Sequence, residues 1–188
     1  LLLKRLSAVT DLSAIKALAG SGQQHGSVYL DSTFNARLAA LDPALDLAPQ
    51  IGPALTRATA PIWMDTSTGS ECAEITAAAG GSQEVCRRSG SIAIERFSGP
   101  QIRRFFKSDP AAYEKTHHIH LVSSFIASVL AGKSVPMDFG DGAGMNLLNL
   151  ANLGWDTELL AATAPNLSAK LLPPAPAKTL QGRISSYF

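Results

Sequence analysis

Cysteine is nearly absent from this chain. Cys72 and Cys86 are the only two thiols in 188 residues. They match no metal-ligand spacing, and a two-cysteine globular chain reads most simply as a reduced, cytoplasmic one. Charge is sparse as well, at 16% of residues with a formal net charge of +1. That balance makes no field that would steer the chain to nucleic acid or to an acidic membrane, and no basic cluster with interleaved aromatics appears. No apolar run reaches the roughly 20 residues that span a bilayer. Lys4 and Arg5 break the short leucine run at the start, so no secretory leader is read there. No internal repeat is found. What the chain does have is apolar material, 46% of its residues. That is enough for a real core, in one domain as the first guess and two small ones as the second. It starts at Leu1, without Met, and stops at Phe188 inside an apparent strand, so we read it as a fragment with both ends missing.

The stretch around which the rest is organised is Ser21-Gly22-Gln23-Gln24-His25-Gly26-Ser27-Val28-Tyr29-Leu30. Apolar runs at 15–19 and 28–30 flank it, and the pattern predicts strand, sharp loop, strand. Gly22 and Gly26 are expected to supply the unusual backbone angles of the turn. Gln23, Gln24 and His25 carry donors and acceptors suited to hydroxyl groups, so a polyol or sugar is the natural ligand. The alternative is an ordinary polar turn with a solvated histidine.

Leucines at 1, 2, 3 and 6 predict a helical stripe over 1–9. Residues 31–61 are turn-rich, with one short helix expected near 34–40. The run 61–65, Pro-Ile-Trp-Met-Asp, predicts a buried strand ending in an acid. Thr68 and Glu71 then form a capping-box pattern ahead of a helix that Gly80-Gly81 stops. Further helices are expected at 82–88, from Ser98 with Ile102, Phe105 and Phe106 inward, at 110–116, at 121–130 closed by Gly132, and at 155–162 entered through Asp156. Arg103, Arg104 and Lys107 read as a solvated face. Residues 180–188 predict a new strand. Strands alternating with helices argue an α/β fold.

Other constellations are weaker. His117, His118 and His120 invite a metal, but their spacing fits no zinc pattern, and a polar helix entry is the alternative. The turn at 138–144 has a superficial calcium-loop look, without the later ligands or the closing Glu. Arg96 beside Glu95 either ties down a carboxylate or carbonyl, or reaches a ligand oxygen. Trp63 either packs in the core or offers its face to the C–H side of a sugar.

Six motifs fall in a familiar order: Ser-Gly-Gln-Gln-His-Gly-Ser-Val-Tyr at 21–29, Pro-Ile-Trp-Met-Asp-Thr-Ser-Thr at 61–68, Glu-Arg-Phe-Ser-Gly-Pro-Gln-Ile at 95–102, His-Leu-Val-Ser-Ser-Phe at 120–125, Asp-Gly-Ala-Gly-Met-Asn-Leu at 141–147 and Ala-Thr-Ala-Pro at 162–165. Over nearly its whole length the chain resembles the FGGY carbohydrate kinases, and within them the xylulokinase branch of plants and animals more than that of bacteria. The resemblance implies an actin-like, ribonuclease H-like α/β fold, of which residues 1–188 would be an incomplete first, sugar-binding domain. It implies phosphorylation of D-xylulose to D-xylulose 5-phosphate with ATP and a magnesium ion. His25 and Arg96 match sugar-contacting residues of the family, and Gln24 and Trp63 fall where related kinases touch a polyol. The Asp-x-x-Thr turn is expected before Leu1. The Gly-Asp-Asn segment with the catalytic base is expected after Phe188, together with the nucleotide domain, so no catalytic residue is assigned here, and Asp141 is not that base. The partner implied is a small-molecule sugar. The alternatives are a truncated, non-catalytic sugar-binding module and a kinase for another pentulose or for glycerol.

Overall fold

A pair of four-residue strands stands at the centre of the computed structural model, which describes residues 5–188. Strand β1 (Ser27–Leu30) pairs antiparallel with β2 (His118–Leu121), Val28 opposite His120 and Tyr29 opposite Ile119. Side chains alternate between the two faces of a strand, and here both faces are covered. Tyr29, Ile119 and Leu121 join the larger cluster with Ile102, Phe105, Met145 and Leu159. Leu30 joins Phe34, Leu38, Ile51 and Val129, with Val28 packed against that group. Double burial explains why Val28-Tyr29-Leu30 is an unbroken apolar run rather than an alternating one.

Helices pack around the strand pair. Helix α1 (Phe34–Ala39) and α2 (Leu47–Ile51) cover the smaller cluster. The larger one is covered by α3 (Gly69–Ala78), α4 (Ser82–Ser89), α5 (Ser98–Ser108) and α6 (Pro110–Lys115). Helix α7 (Val122–Ala131) leaves β2 directly and ends at Gly132, whose φ of 70° is the left-handed stop that glycine permits. A short α8 (Phe139–Ala143) leads to the small ladder of β3 (Leu148–Asn149) with β4 (Gly154–Trp155). Helices α9 (Thr157–Thr163) and α10 (Leu167–Lys170) follow. Among the described residues, no helix is long and apolar enough to cross a membrane.

Most of the expected helices form near the expected bounds, because their start and stop signals are local. Asp109 accepts from the Ala112 amide at 3.0 Å with Pro110 at the first turn, and Asp156 caps α9. Several expectations fail. Residues 15–19 and 180–188 hold no strand, and 61–65 is a turn with Trp63 53% exposed. Thr68 does not close a capping box: its hydroxyl donates to the Glu95 carbonyl at 2.6 Å instead. The glycine-rich turn at 138–144 is largely the helix α8, capped by the Asp138 carboxylate on the amides of Gly140 and Asp141. The histidine run is strand, not helix entry. The basic triplet is not a free solvated face. Lys107 Nζ bonds Glu71 at 2.8 Å and Glu74 at 2.6 Å, Arg103 bonds Glu74 at 2.6 Å, and Arg104 bonds the Ser67 carbonyl. These contacts tie α5 to α3 and to the turn ahead of it. The stripe over 1–9 lies partly outside the described residues, and 7–9 form a turn.

Candidate functional site

The loop between residue 20 and β1 is pressed against the start of α7. A methyl group on Gly22 would lie 2.6 Å from Val122 Cγ1 and 2.9 Å from the Ser123 backbone nitrogen. One on Gly26 would lie 3.0 Å from Val122 Cγ2. The two glycines therefore serve close approach, not unusual backbone angles. The left-handed residue is His25 itself, with φ of 62°. A non-glycine there stores of order 1 kcal/mol of strain, and such outliers gather at ligand sites. Gly22→Ala is expected to push the loop off α7 and to lower stability by about 1–2 kcal/mol, the usual cost of overpacking. Urea unfolding checks this, and a parent-like midpoint would show that the loop accommodates the methyl.

His25 is held in a definite state. Its Nδ1 lies 3.0 Å from the Gly144 carbonyl oxygen. A carbonyl only accepts, so Nδ1 carries the proton and Nε2 is left with its lone pair. Burial holds the imidazole below its usual pKa, and the Arg96 charge adds to this, against the opposing pull of the Gly144 carbonyl and Asp141. Near neutral pH, His25 is thus a neutral ring with an acceptor available at Nε2. Asp141, which is one of the charges acting on it, accepts a hydrogen bond from Ser123 at the start of α7.

Arg96 and His25 both approach Phe97: its ring centroid is 5.2 Å from that of His25 and 5.7 Å from Arg96 Cζ. Among the described residues no hydrogen bond or ion pair occupies the guanidinium, so Arg96 does not tie down Glu95 or a carbonyl. A neutral acceptor and a cationic donor fork therefore neighbour one aromatic ring, with donors left over for a polar ligand.

Gln24 and Trp63 are not brought into this pair. Both side chains are exposed, and among the described residues neither makes a hydrogen bond or ring contact. The turn that carries Trp63 does begin beside the loop, since the Pro61 carbonyl lies 3.6 Å from a methyl placed on Gly26. The histidines of β2 do not converge on a metal: among the described residues no group of three or more His, Cys, Asp or Glu side chains is placed to hold one. Sequence reasoning missed Gly144, Asp141, Ser123 and Phe97 as parts of the His25 surroundings. Only Phe97, next to Arg96, carried a local signal.

Comparison with known proteins gives this geometry a family. The N-terminal domain of the FGGY family of carbohydrate kinases matches residues 54–186. Xylulose kinase of Rattus norvegicus is 44% identical over 178 residues, covering 95% of this chain and 33% of that protein. Xylulose kinase 2 of Arabidopsis thaliana is 44% identical over 189 residues, covering the whole chain and 34% of that protein. The chain thus spans about a third of the length of these relatives. The crystal structure of xylulose kinase from Rhodospirillum rubrum superposes with a TM-score of 0.75 at 18% identity, covering 98% of this chain and 33% of that one. That of Plasmodium falciparum glycerol kinase with ADP does so with 0.75 at 17%, over 98% and 33%. At such identities the superpositions establish the fold alone, which is the actin-like fold of these sugar kinases. By its sequence match and by its fold, this chain belongs to the FGGY family of carbohydrate kinases, as part of the N-terminal domain.

Proposed function

We propose that this chain carries the sugar-binding part of a xylulose kinase, and that His25 and Arg96 close around one pentulose. The reading is supported by the approach of both groups to the Phe97 ring, together with the xylulose kinase relatives at 44% identity. In it, His25 Nε2 accepts a sugar hydroxyl proton while Arg96 donates to a neighbouring sugar oxygen. His25 acts as acceptor, not donor, because the Gly144 carbonyl takes the only proton of the neutral ring. A half-buried group of fixed polarity such as His25 discriminates against sugars whose hydroxyls do not match it. We assign Gln24 and Trp63 at most a rim role that forms on ligand binding, since neither makes a hydrogen bond or ring contact with the pair here.

Phosphoryl transfer rests on positioning and charge stabilisation. On this reading the present residues supply the first of these, fixing the acceptor hydroxyl. ATP is the phosphoryl donor that the family implies. A magnesium ion accompanies ATP on that reading, and we place the catalytic base and the nucleotide domain outside residues 1–188. We also read the protein as cytoplasmic.

The test is calorimetric titration of the full-length protein with D-xylulose. His25→Ala and Arg96→Ala are each expected to weaken binding about tenfold or more, from the loss of one hydrogen bond to a desolvated or charged group. Parent-like affinity in both would refute the site. A panel with other pentuloses and glycerol fixes the substrate. Binding without ADP release by the full-length protein would favour the non-catalytic module.

A further inference from the structure

We infer that Thr68 and Gln101 are positioning residues for the sugar site, acting together on the peptide that carries Arg96; this rests on the assignment of Arg96 as a sugar ligand. The guanidinium has no hydrogen-bonded anchor of its own. An arginine side chain samples many rotamers, so its aim depends on how firmly its backbone is held. The Glu95 carbonyl, which shares its peptide plane with the Arg96 nitrogen, receives two side-chain donors from two helices. Thr68 Oγ1, at the start of α3, lies at 2.6 Å, and Gln101 Nε2, in the first turn of α5, at 3.2 Å. Both residues are fully buried.

The chemistry of Gln101 argues against a purely structural role. Its amide nitrogen donates to Glu95 O. A carbonyl only accepts, so the orientation of the amide is fixed by it. Its Oε1 is then buried without a partner. An orphaned buried acceptor is destabilising, because it has lost water and gained no partner. A methionine would fill the same space with no such penalty. The fold thus carries a cost at position 101, and what that cost secures is the geometry of the Glu95–Arg96 peptide.

The experiment uses the full-length protein, with D-xylulose titrated by calorimetry and turnover followed by ADP release. Gln101→Met is expected to keep or raise the melting temperature while raising the sugar KM and Kd about fivefold to tenfold, with kcat at saturating sugar within about twofold. Thr68→Val is expected to weaken the sugar similarly, and Thr68→Ser, which restores the hydroxyl, to return it to the parent value. In an Arg96→Ala background, neither change should weaken the sugar further. Full additivity with Arg96→Ala would overturn the inference, as would an unchanged Kd in both Gln101→Met and Thr68→Val. If Gln101→Met does not fold, the glutamine is structural and the inference fails for it, and the Thr68 cycle decides the rest. Parent-like binding by Arg96→Ala itself would instead strike down the sugar-site assignment, a separate result.

Discussion

Asp156→Ala is expected to destabilise the protein by about 3 kcal/mol, because it removes a helix cap and strands a partly buried arginine at once. The Asp156 side chain is only 2% exposed. It accepts from the amides of Glu158 at 3.1 Å and Leu159 at 3.0 Å, from Asn149 Nδ2 at 2.8 Å, and from Arg88 Nη1 at 3.3 Å. Burial pushes its carboxyl up, yet the Leu159 amide, Asn149 and Arg88 together hold it below the usual carboxylate range. One residue thus joins α9, the β3–β4 ladder and α4. Asp156→Asn keeps the cap and loses the charge pairing, so its loss should be about half as large. Urea unfolding reads both. A loss under about 1 kcal/mol for Asp156→Ala would mean that the helices hold without this junction.

The second large effect is a loss of stability in mild acid centred on His120. This residue is 2% exposed, on the face of β2 that looks toward Phe34, with the two ring centroids 6.4 Å apart. Ser124 Oγ already donates to the Leu121 carbonyl, so His120 Nδ1 donates to that hydroxyl, 3.2 Å away. Its Nε2 is buried without a partner, and a proton there would have no acceptor. Burial, with some contribution from nearby His118, therefore pushes the pKa down to about 4 from 6.5. The folded value lies below the unfolded one, so the unfolded chain takes the proton first as pH falls. The stabilising contribution is complete above about pH 6.5 and is lost between there and about pH 4. The loss is on the order of 3 kcal/mol at 1.36 kcal/mol per unit. His118 is shifted down as well, by burial and by His117, and acts with the same sign. Urea midpoints at pH 7.5, 5 and 4 should fall steeply for the parent and much less for His120→Leu. Parallel curves would place the acid sensitivity elsewhere.

The same residues show how far the sequence could be read. His25 and Arg96 stood out as candidates, because each sits in a distinctive local string, and the structure sets both against Phe97. What His25 does with its two nitrogens was not legible. The Gly144 carbonyl that fixes its tautomer is 119 residues away. Thr68 carried a strong local signal as a cap, and the tertiary structure spent its hydroxyl on Glu95 instead. The triplet Arg103, Arg104 and Lys107 looked solvated because their acidic and carbonyl partners lie on other elements.

Helices were fixed by the sequence alone wherever both ends were marked, as by Asp109-Pro110 or Asp156 at the start and Gly80-Gly81 or Gly132 at the end. Their backbone bonds close within four residues, so all the information is local. Strands were another matter. An apolar run states a wish for burial but does not name a partner, and a strand exists only where a second segment supplies the other half of its hydrogen bonds. Val28-Tyr29-Leu30 found His118–Leu121 about 90 residues on. The equally apolar 61–65 found no such neighbour here and became an exposed turn. The composition and ordered motifs therefore determined the family and two ligand candidates. Only the folded chain decided which groups share a surface and which polar atoms already have partners, because those contacts close over distances that no local pattern encodes.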